Sequence, residues 1–279
     1  MGLLGASITS AILRSISGAK SYGFSHRDST RQKARELGVA DQISDTLTDC
    51  VTDADMVILA TPICTFEQIF KTIAPDLKPG CIVTDVGSTK TLPHKWAKAT
   101  LPDNVYYVGS HPIAGSEQRG VEYARDDLLS GAACIVTKTP GTNKDAAETT
   151  QQLWDALGCI VKVMTPDKHD KIFASVSHVP HIIAAALVNA TESDRIKYAG
   201  KGFIDTSRIA SGPENIWSDI LTTNSENIAD GLSKAIEQLQ ILKAAVKDQD
   251  QKKIESLLAQ ARKKRAALIE HKVKNRELI

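Results

Sequence analysis

Clustered cysteines are absent from this 279-residue sequence, and that absence argues against two classes of protein. The five cysteines are dispersed, and they stand at Cys50, Cys64, Cys81, Cys134 and Cys159. They form neither a Cys-x-x-Cys pair nor a metal-type cluster, as a zinc module or a disulfide-stabilised secreted domain would require. Three of them lie in or beside apolar strand-like runs, where we expect buried free thiols. We also expect a cytoplasmic protein and no metal site.

An excess of charge is also lacking, since 34 Lys and Arg residues face 33 Asp and Glu residues, giving a net charge of +1. The first two thirds of the chain carry no basic stripe, so we expect no nucleic-acid partner. The basic residues 262–265 fall in a helical pattern and are expected to form a solvated helix face. The sequence has no signal peptide and no uninterrupted apolar run of 18 residues, so no membrane partner is expected.

What the sequence does contain is an alternation of strand-like and helix-like segments up to Pro166. The predicted strands are 20–24, 56–60, 81–86, 105–108, 133–137 and 160–164, and the predicted helices are 4–16, 31–37, 66–74, 92–99 and 144–157. This alternation is typical of a mostly parallel, doubly wound sheet with helices on its faces, although short later connections could make the far edge mixed.

Beyond Pro166 the sequence has a helical pattern without comparable strand-like runs. The predicted helical segments are 167–191, 194–209, 214–246 and 251–273, with breaks near residues 200–202 and 211–213. We therefore predict an α/β domain over residues 1–165 and an all-α domain over residues 166–279.

A glycine-rich turn opens the chain at the start of the first predicted helix. Gly2 and Gly5, separated by Leu3 and Leu4, look like the second half of a Gly-x-Gly-x-x-Gly loop. Gly2 would let the backbone approach a pyrophosphate, and the helix N-terminus would supply N–H groups. The first glycine and its preceding strand are missing from the sequence. We therefore expect a Rossmann-type domain without its first strand, through either a late start or a true truncation.

The end of the next predicted strand carries the residues expected to select the dinucleotide. An acidic residue here would bind the ribose 2′-hydroxyl of NAD, but the sequence has Ser25 followed by His26 and Arg27. A hydroxyl beside a guanidinium suits a 2′-phosphate, which favours NADP. Because the acidic Asp28 is nearby, NAD stays open as an alternative cofactor.

Three further strand ends should emerge at the same edge of the sheet. Thr61 and Pro62 follow one of them, in the position where ligands bind open α/β sheets. The second runs into Asp-Val-Gly-Ser-Thr-Lys at 85–90, and the third into Gly-Ser-His-Pro-Ile-Ala-Gly-Ser-Glu at 109–117. His111 in the last segment is expected on a loop that suits core packing poorly, which favours a functional role.

Together these motifs resemble those of the prephenate and arogenate dehydrogenases, the TyrA family. The resemblance covers nearly the whole chain and rests on GLLGAS at 2–7, DVGSTK at 85–90, HPIAGSE at 111–117, SHVPH at 177–181 and FIDTSRIA at 203–210, followed by Trp217. It implies a Rossmann-type domain followed by a helical domain that forms a homodimer. It also implies NADP or NAD as cofactor and oxidative decarboxylation of prephenate and/or arogenate in tyrosine biosynthesis.

The resemblance also implies roles for individual residues. His111 matches the catalytic histidine that takes the proton of the ring hydroxyl, and Ser88 matches the serine that holds this hydroxyl and the nicotinamide region. Arg208 matches the arginine that binds a substrate carboxylate, and His178 and His181 match histidines near the substrate.

Two further positions match pocket residues of the family, Glu117 as an acidic group and Trp217 as an aromatic group near it. Without the resemblance, simpler interpretations of these residues stay open. His178 and His181 would be structural histidines or an incomplete metal site, and Arg208 would be a cation at a helix end. Ser88 would cap a helix, Glu117 would be a loop carboxylate and Trp217 would be a core residue.

Two other functions remain as alternatives. One is another two-domain 3-hydroxyacid or imine-type NAD(P) dehydrogenase, although such enzymes usually use a lysine of the helical domain. The other is a truncated, inactive paralogue that dimerises without binding nucleotide, which the start at Met1 would favour. The choice between prephenate and arogenate also stays open.

Overall fold

The computed structural model describes residues 1–114 and 118–274, and its first part alternates strands and helices. The elements are α1 (Leu3–Ser15), β1 (Tyr22–Gly23), α2 (Asp28–Leu37), β2 (Gln42–Ile43), α3 (Leu47–Val51), β3 (Met56–Leu59), α4 (Phe66–Ile73), β4 (Ile82–Asp85), α5 (Thr91–Thr100), β5 (Tyr106–Tyr107), β6 (Gly109–Pro112), β7 (Ala133–Thr137), α6 (Lys144–Ala156) and β8 (Ile160–Met164). All the strands and helices expected here are present within a few residues. β2, α3 and β6 were not predicted from the sequence, because they are too short to show a periodic pattern of apolar residues.

Among the described residues, the strands form three separate ladders. β1 pairs with β2 in parallel, and β3, β4 and β5 form a second parallel ladder. In the third ladder β6 runs antiparallel to β7, which pairs in parallel with β8, so this part is mixed. Met1 packs beside the first ladder, since a Cβ added to Gly23 would lie 2.9 Å from its sulfur.

His111 lies within β6, which corrects the expectation that it lies on a loop. Its register partner is Ile135 of β7, a strand more than twenty residues further along the chain. Gly109 begins β6 at a point of close packing, because a Cβ there would lie 2.6 Å from Oγ1 of Thr137. A short strand that contains histidine and proline lacks the apolar alternation that would have predicted it.

A buried tryptophan fixes the strand that carries His111. Trp154 of α6 is fully buried, and its Nε1 donates to Oγ of Ser110 at 2.8 Å. The same hydroxyl bonds Oγ1 of Thr84 on β4, also at 2.8 Å. These bonds satisfy three buried polar groups within an apolar cluster, so β6 is held against both β4 and α6.

The second part of the chain is helical, as the sequence predicts. Its elements are α7 (Pro166–Phe173), a π-helical turn (Ala174–His178), α8 (Val179–Ala190), α9 (Ser193–Ile196), α10 (Lys201–Ser207), a 3-10 turn (Arg208–Ser211), α11 (Glu214–Thr223), α12 (Ser225–Lys247) and α13 (Gln251–Lys274). Both expected breaks are present, because α10 begins after Gly200 and α11 begins after Pro213.

The continuous helical stretch Pro166–Ala190 is long and apolar enough to cross a membrane by length and composition, with a mean hydropathy of 1.5. The sequence did not predict this, because polar residues interrupt the apolar run. A core helix of a globular domain passes the same test. Its buried His169 and Asp170 bond to the first part of the chain, and 28% of its apolar window is buried.

Candidate active site

The loop after β4 is anchored by a buried ion pair. Lys90 and Asp85 are both fully buried, and Lys90 Nζ pairs with the Asp85 carboxylate and donates to the Ser110 carbonyl at 2.6 Å. The same carboxylate accepts hydrogen bonds from the Gly87 N–H at 2.8 Å, the Ser110 N–H at 3.1 Å and the Tyr107 hydroxyl at 2.8 Å. The pair therefore joins the loop that holds Ser88 to the strand that holds His111.

Ser88 is the half-buried member of this loop, whereas Gly87, Thr89 and Lys90 are buried. Oγ1 of Thr89 bonds Oγ1 of Thr223 in α11 at 2.9 Å, which anchors the loop to the helical part. Helix α5 begins only at Thr91, and Ser88 makes no cap bond to it. The cap interpretation of Ser88 is therefore wrong.

The N-terminus of α5 is capped from a distance by Asp170 of α7. Its Oδ1 accepts from the Lys90 N–H and its Oδ2 from the Thr91 N–H, both at 2.8 Å. A carboxylate at this position satisfies two orphan N–H groups and the positive end of the helix dipole. Asp170 is fully buried and ties the two parts of the chain together.

Asp170 also begins a line of hydrogen bonds that ends at His111. Its Oδ1 lies 2.8 Å from Nδ1 of His169, and Nε2 of His169 lies 2.9 Å from Nδ1 of His111. Phe173 packs on both rings, with centroid distances of 4.4 Å to His169 and 4.9 Å to His111. His111 is half-buried, while His169 is fully buried.

Burial keeps these two histidines neutral. Desolvation, followed by the neighbouring His169 and Lys90, holds the pKa of His111 well below its usual value. Desolvation also lowers the pKa of His169, although the hydrogen bond to Asp170 opposes that shift. Burial by itself would raise the pKa of Asp170, but hydrogen bonds from His169 and Thr91 outweigh it and lower that pKa. At neutral pH, His111 and His169 are therefore both neutral, and they are linked through His169 to the ionised carboxylate of Asp170.

A second polar cluster lies at the start of α8. His181 stacks on Trp217 with a centroid distance of 3.5 Å and an interplanar angle of 9°, and His178 meets the same ring edge-on at 6.2 Å. Gly212 permits this stack, because a Cβ there would lie 2.2 Å from Nε1 of Trp217. The amide of Asn224 bonds both the Asp170 carbonyl, at 2.8 Å, and Nδ1 of His178, at 3.2 Å.

Two buried nitrogens of this cluster have no hydrogen-bond partner among the described residues. They are Nε2 of His178 and Nδ1 of His181. A buried polar atom without a partner is costly unless a ligand or water satisfies it. The described residues contain no group of three His, Cys, Asp or Glu side chains arranged for a metal.

Arg208 begins the 3-10 turn that packs against α8, and its side chain is exposed. Gly212 follows this turn and contacts the His181–Trp217 stack, so Arg208 lies on the segment that borders this cluster. Glu117 lies outside the described residues.

The geometry of the glycine turn suits a dinucleotide. Gly2 precedes α1, and a Cβ added there would meet nothing within 4 Å, so the backbone is open to a ligand. A Cβ on Gly5 would lie 3.3 Å from the Cβ of Ala60, so the helix packs closely on the strand end. Leu3 and Leu4 form the first turn of α1, which has no acidic residue and no side-chain cap. These N–H groups fit a pyrophosphate.

Ser25 is buried after β1, while His26 and Arg27 are exposed. The Arg27 N–H donates to Oγ of Ser25 at 3.4 Å, and the guanidinium of Arg31 donates to the Ser25 carbonyl at 2.7 Å. Arg31 also lies over the ring of Phe24, with 5.8 Å from the guanidinium carbon to the ring centroid. Arg31 therefore places a second cation beside the position that selects the ribose. Sequence patterns did not predict this role for Arg31.

Thr61 and Pro62 follow β3 at the expected edge of the sheet. Oγ1 of Thr61 bonds Oγ1 of Thr65 at 2.9 Å, and the Pro62 carbonyl accepts from the Thr65 hydroxyl at 2.6 Å. Nearby, the Cys64 N–H donates to Asp219 of α11 at 3.3 Å. This turn is therefore a second point at which a strand end contacts the helical part.

Comparison with known proteins identifies the family. The family model "prephenate dehydrogenase, nucleotide-binding domain" matches residues 8–163, and "prephenate dehydrogenase, dimerization domain" matches residues 165–260. This chain belongs to the prephenate dehydrogenase family. Its cofactor is therefore a nicotinamide dinucleotide, which the open glycine turn fits.

Individual relatives agree with this assignment. The prephenate dehydrogenase of Bacillus subtilis is 34% identical over 90% of this chain and 69% of its own length. The crystal structure of Aquifex aeolicus prephenate dehydrogenase with hydroxyphenyl propionate and NAD+ is 32% identical, with a TM-score of 0.89 and coverage of 96% and 95% of the two chains. Synechocystis arogenate dehydrogenase is 29% identical, with a TM-score of 0.83 and coverage of 96% and 97%.

The buried histidines predict how stability depends on pH. The pKa values of His94, His111, His169, His178 and His181 are all lowered, with burial as the largest cause, and those of His94 and His178 fall to about 4. An unfolded histidine titrates near pH 6.5, so below that pH the unfolded chain binds more protons than the folded one. Stability should therefore be full above about pH 6.5 and decline towards about pH 4, as urea midpoints measured across this range would show.

His94→Gln is the matched control. It keeps a partner for Oγ1 of Thr137, which lies 3.0 Å from Nε2 of His94, and removes one titrating group. Between about pH 6.5 and pH 4, the slope of the free energy of unfolding against pH should be smaller in the variant than in the wild type, by up to about 1.4 kcal/mol per pH unit. A wild-type urea midpoint that stays flat from pH 7.5 to 4.5 would contradict the neutral state of these rings.

Proposed function

We propose that this protein oxidatively decarboxylates prephenate and/or arogenate in tyrosine biosynthesis, with NADP+ or NAD+ as electron acceptor. The observation that carries the proposal is a half-buried, neutral His111 within a chain of the prephenate dehydrogenase family. A neutral imidazole in a half-buried position is a suitable general base for a ring hydroxyl.

In the proposed reaction, His111 accepts the proton of the C4 hydroxyl, and Ser88 holds the same hydroxyl in place. The bound oxidised nicotinamide would accept the hydride that leaves C4. As the ring carboxylate is lost as CO2, its bonding electrons complete the aromatic ring and the proton returns from His111 to the ring oxygen, which gives 4-hydroxyphenylpyruvate from prephenate or tyrosine from arogenate. Since aromatisation drives the reaction, the protein mainly orients the substrate and removes one proton.

The substrate would lie between His111 and the cluster around Trp217. We assign the free nitrogens of His178 and His181 to polar groups of the substrate, and Trp217 to one wall of the pocket. Arg208 would bind a substrate carboxylate, because its guanidinium forms two parallel hydrogen bonds with such a group. Glu117 would favour the ammonium group of arogenate.

His111→Asn tests the proposed base. Because asparagine cannot accept the proton, kcat should fall by about two to four orders of magnitude, while the Kd of the cofactor stays within about twofold. Initial rates with prephenate and with arogenate, each with NADP+ and NAD+, measure this and define the preferred pair. Near-wild-type turnover of the variant would contradict the role of His111. Wild-type inactivity in all four assays would favour an inactive paralogue or another dehydrogenase.

For the cofactor we propose a preference for NADP. Ser25, His26 and Arg27 replace the acidic residue that would bind a ribose 2′-hydroxyl, and Arg31 adds a second guanidinium next to Ser25. A 2′-phosphate carries negative charge that these cations would neutralise. Thr61 and Pro62 would border the bound dinucleotide at the next strand end.

Ser25→Asp tests that preference. A carboxylate at this position should repel the 2′-phosphate and accept from a ribose hydroxyl, so the ratio of kcat/KM for NADP+ to that for NAD+ should fall at least about tenfold. Ser25→Ala is the control, because it removes the hydroxyl without adding charge. An unchanged ratio in Ser25→Asp would rule out this position as the selector.

We further propose that the protein is a cytoplasmic homodimer, with domains at residues 1–165 and 166–279. The five cysteines are free thiols, which suits a reducing compartment. The helical stretch 166–190 exposes four apolar side chains, at Ile172, Val176, Ile183 and Leu187. A second copy would bury these side chains, in keeping with the dimerization domain of the family.

Val176→Lys tests the dimer, because Val176 is 66% exposed in the isolated chain and a lysine in an apolar interface would be costly. Light scattering should give twice the 30.1 kDa chain mass for the wild type and the single-chain mass for the variant. Leu13→Lys, an exposed apolar position in α1, should remain a dimer. A wild-type monomer would contradict the proposal.

A further inference from the structure

The hydrogen-bonded line from Asp170 through His169 to His111 assigns every proton along it. We propose that His169 and Asp170 are a positioning pair that holds His111 in the Nδ1–H tautomer, so that Nε2 carries the lone pair that accepts the substrate proton. The proposal rests on the proposed function, since it gives His111 as the base.

At Asp170, two backbone N–H groups and one histidine ring nitrogen converge on one buried carboxylate. The backbone N–H groups are those of Lys90 and Thr91, which can only donate. The ionised carboxylate can only accept, and its pKa lies below the usual range. The 2.8 Å contact between Asp170 and His169 therefore requires a proton on Nδ1 of His169.

The state of His169 then fixes the state of His111. Burial keeps the His169 ring neutral, so a proton on Nδ1 leaves a lone pair on Nε2. Nε2 of His169 lies 2.9 Å from Nδ1 of His111, and two lone pairs cannot face each other at that distance. His111 must therefore donate from Nδ1, which leaves its Nε2 as the acceptor.

The tautomer matters because only one form of a neutral imidazole can accept a proton at a given nitrogen. In the serine-protease triad, a change that leaves the histidine in the wrong tautomer lowers kcat by about 10⁴. The same line also stabilises the imidazolium of His111 after proton uptake, since its Nδ1–H still donates towards a ring polarised by Asp170. Phe173 packs on both rings and holds their planes.

Nitrogen NMR of protein labelled with ¹⁵N-histidine tests the assignment directly. At neutral pH, His111 should show a protonated Nδ1 and an unprotonated Nε2, with His111→Asn used to identify its signals. An Nε2–H tautomer of His111 would overturn the proposal. This measurement needs no substrate, so the tautomer is decided even if the assays contradict the proposed reaction.

Two substitutions of His169 separate positioning from bulk structure. His169→Gln offers an amide oxygen that can accept from His111 and an amide nitrogen that can donate to Asp170, so kcat should stay within about tenfold of wild type. His169→Phe keeps an aromatic ring beside Phe173 but has no acceptor, so kcat should fall by about 10² to 10⁴ with KM within about threefold. The ¹⁵N signals of His111 should keep the Nδ1–H tautomer in the first variant and lose it in the second.

Equal kcat in the two variants would overturn the proposal, as would a fully active His169→Phe protein. Circular dichroism and the urea midpoint establish that each variant folds. If His169→Phe does not fold, the tautomer of His111 in the wild type and the activity of His169→Gln test the proposal. Loss of kcat in a folded His169→Gln protein would show that an acceptor at this position is not enough to position His111, which would contradict the proposal.

Discussion

The buried carboxylate of Asp170 is the group on which the geometry of the candidate active site depends. It accepts hydrogen bonds from the start of α5 and from His169, while its own backbone carbonyl accepts from Asn224. A buried charge is tolerated only when such partners replace water. Because these partners come from both parts of the chain, satisfying this one carboxylate also fixes how the helical part meets the sheet, and with it the position of His111.

The ion pair of Lys90 and Asp85 supplies a second constraint on the same region. It holds the loop that carries Ser88 against the strand that carries His111, and the positive charge of Lys90 contributes to the low pKa of His111. One interaction thus positions two groups of the site and also adds to the lowering of the pKa of His111. Burial is the largest cause of that lowering, followed by the neighbouring His169 and Lys90.

Much of the fold could be predicted because its signals are local. Alternating strand and helix patterns identified the first part, and the family resemblance of five motifs in order is the basis for proposing His111, Ser88 and Arg208 as site residues. His169 and Asp170 were missed, since their partners lie 58, 80 and 79 residues away and an ordinary helical stretch surrounds them. The strand containing His111 was also missed, because its pairing with β7 leaves no pattern in the sequence.

A crystal structure with oxidised cofactor and a 4-hydroxyphenyl product analogue is the most direct test of how His111 is used. We expect the phenolic oxygen to lie about 2.6–3.2 Å from Nε2 of His111, while Nδ1 of that ring remains bonded to His169 and His169 to Asp170. A phenolic oxygen bound by other groups, or a His111 ring whose Nδ1 has left His169 to face the ligand, would contradict this expectation.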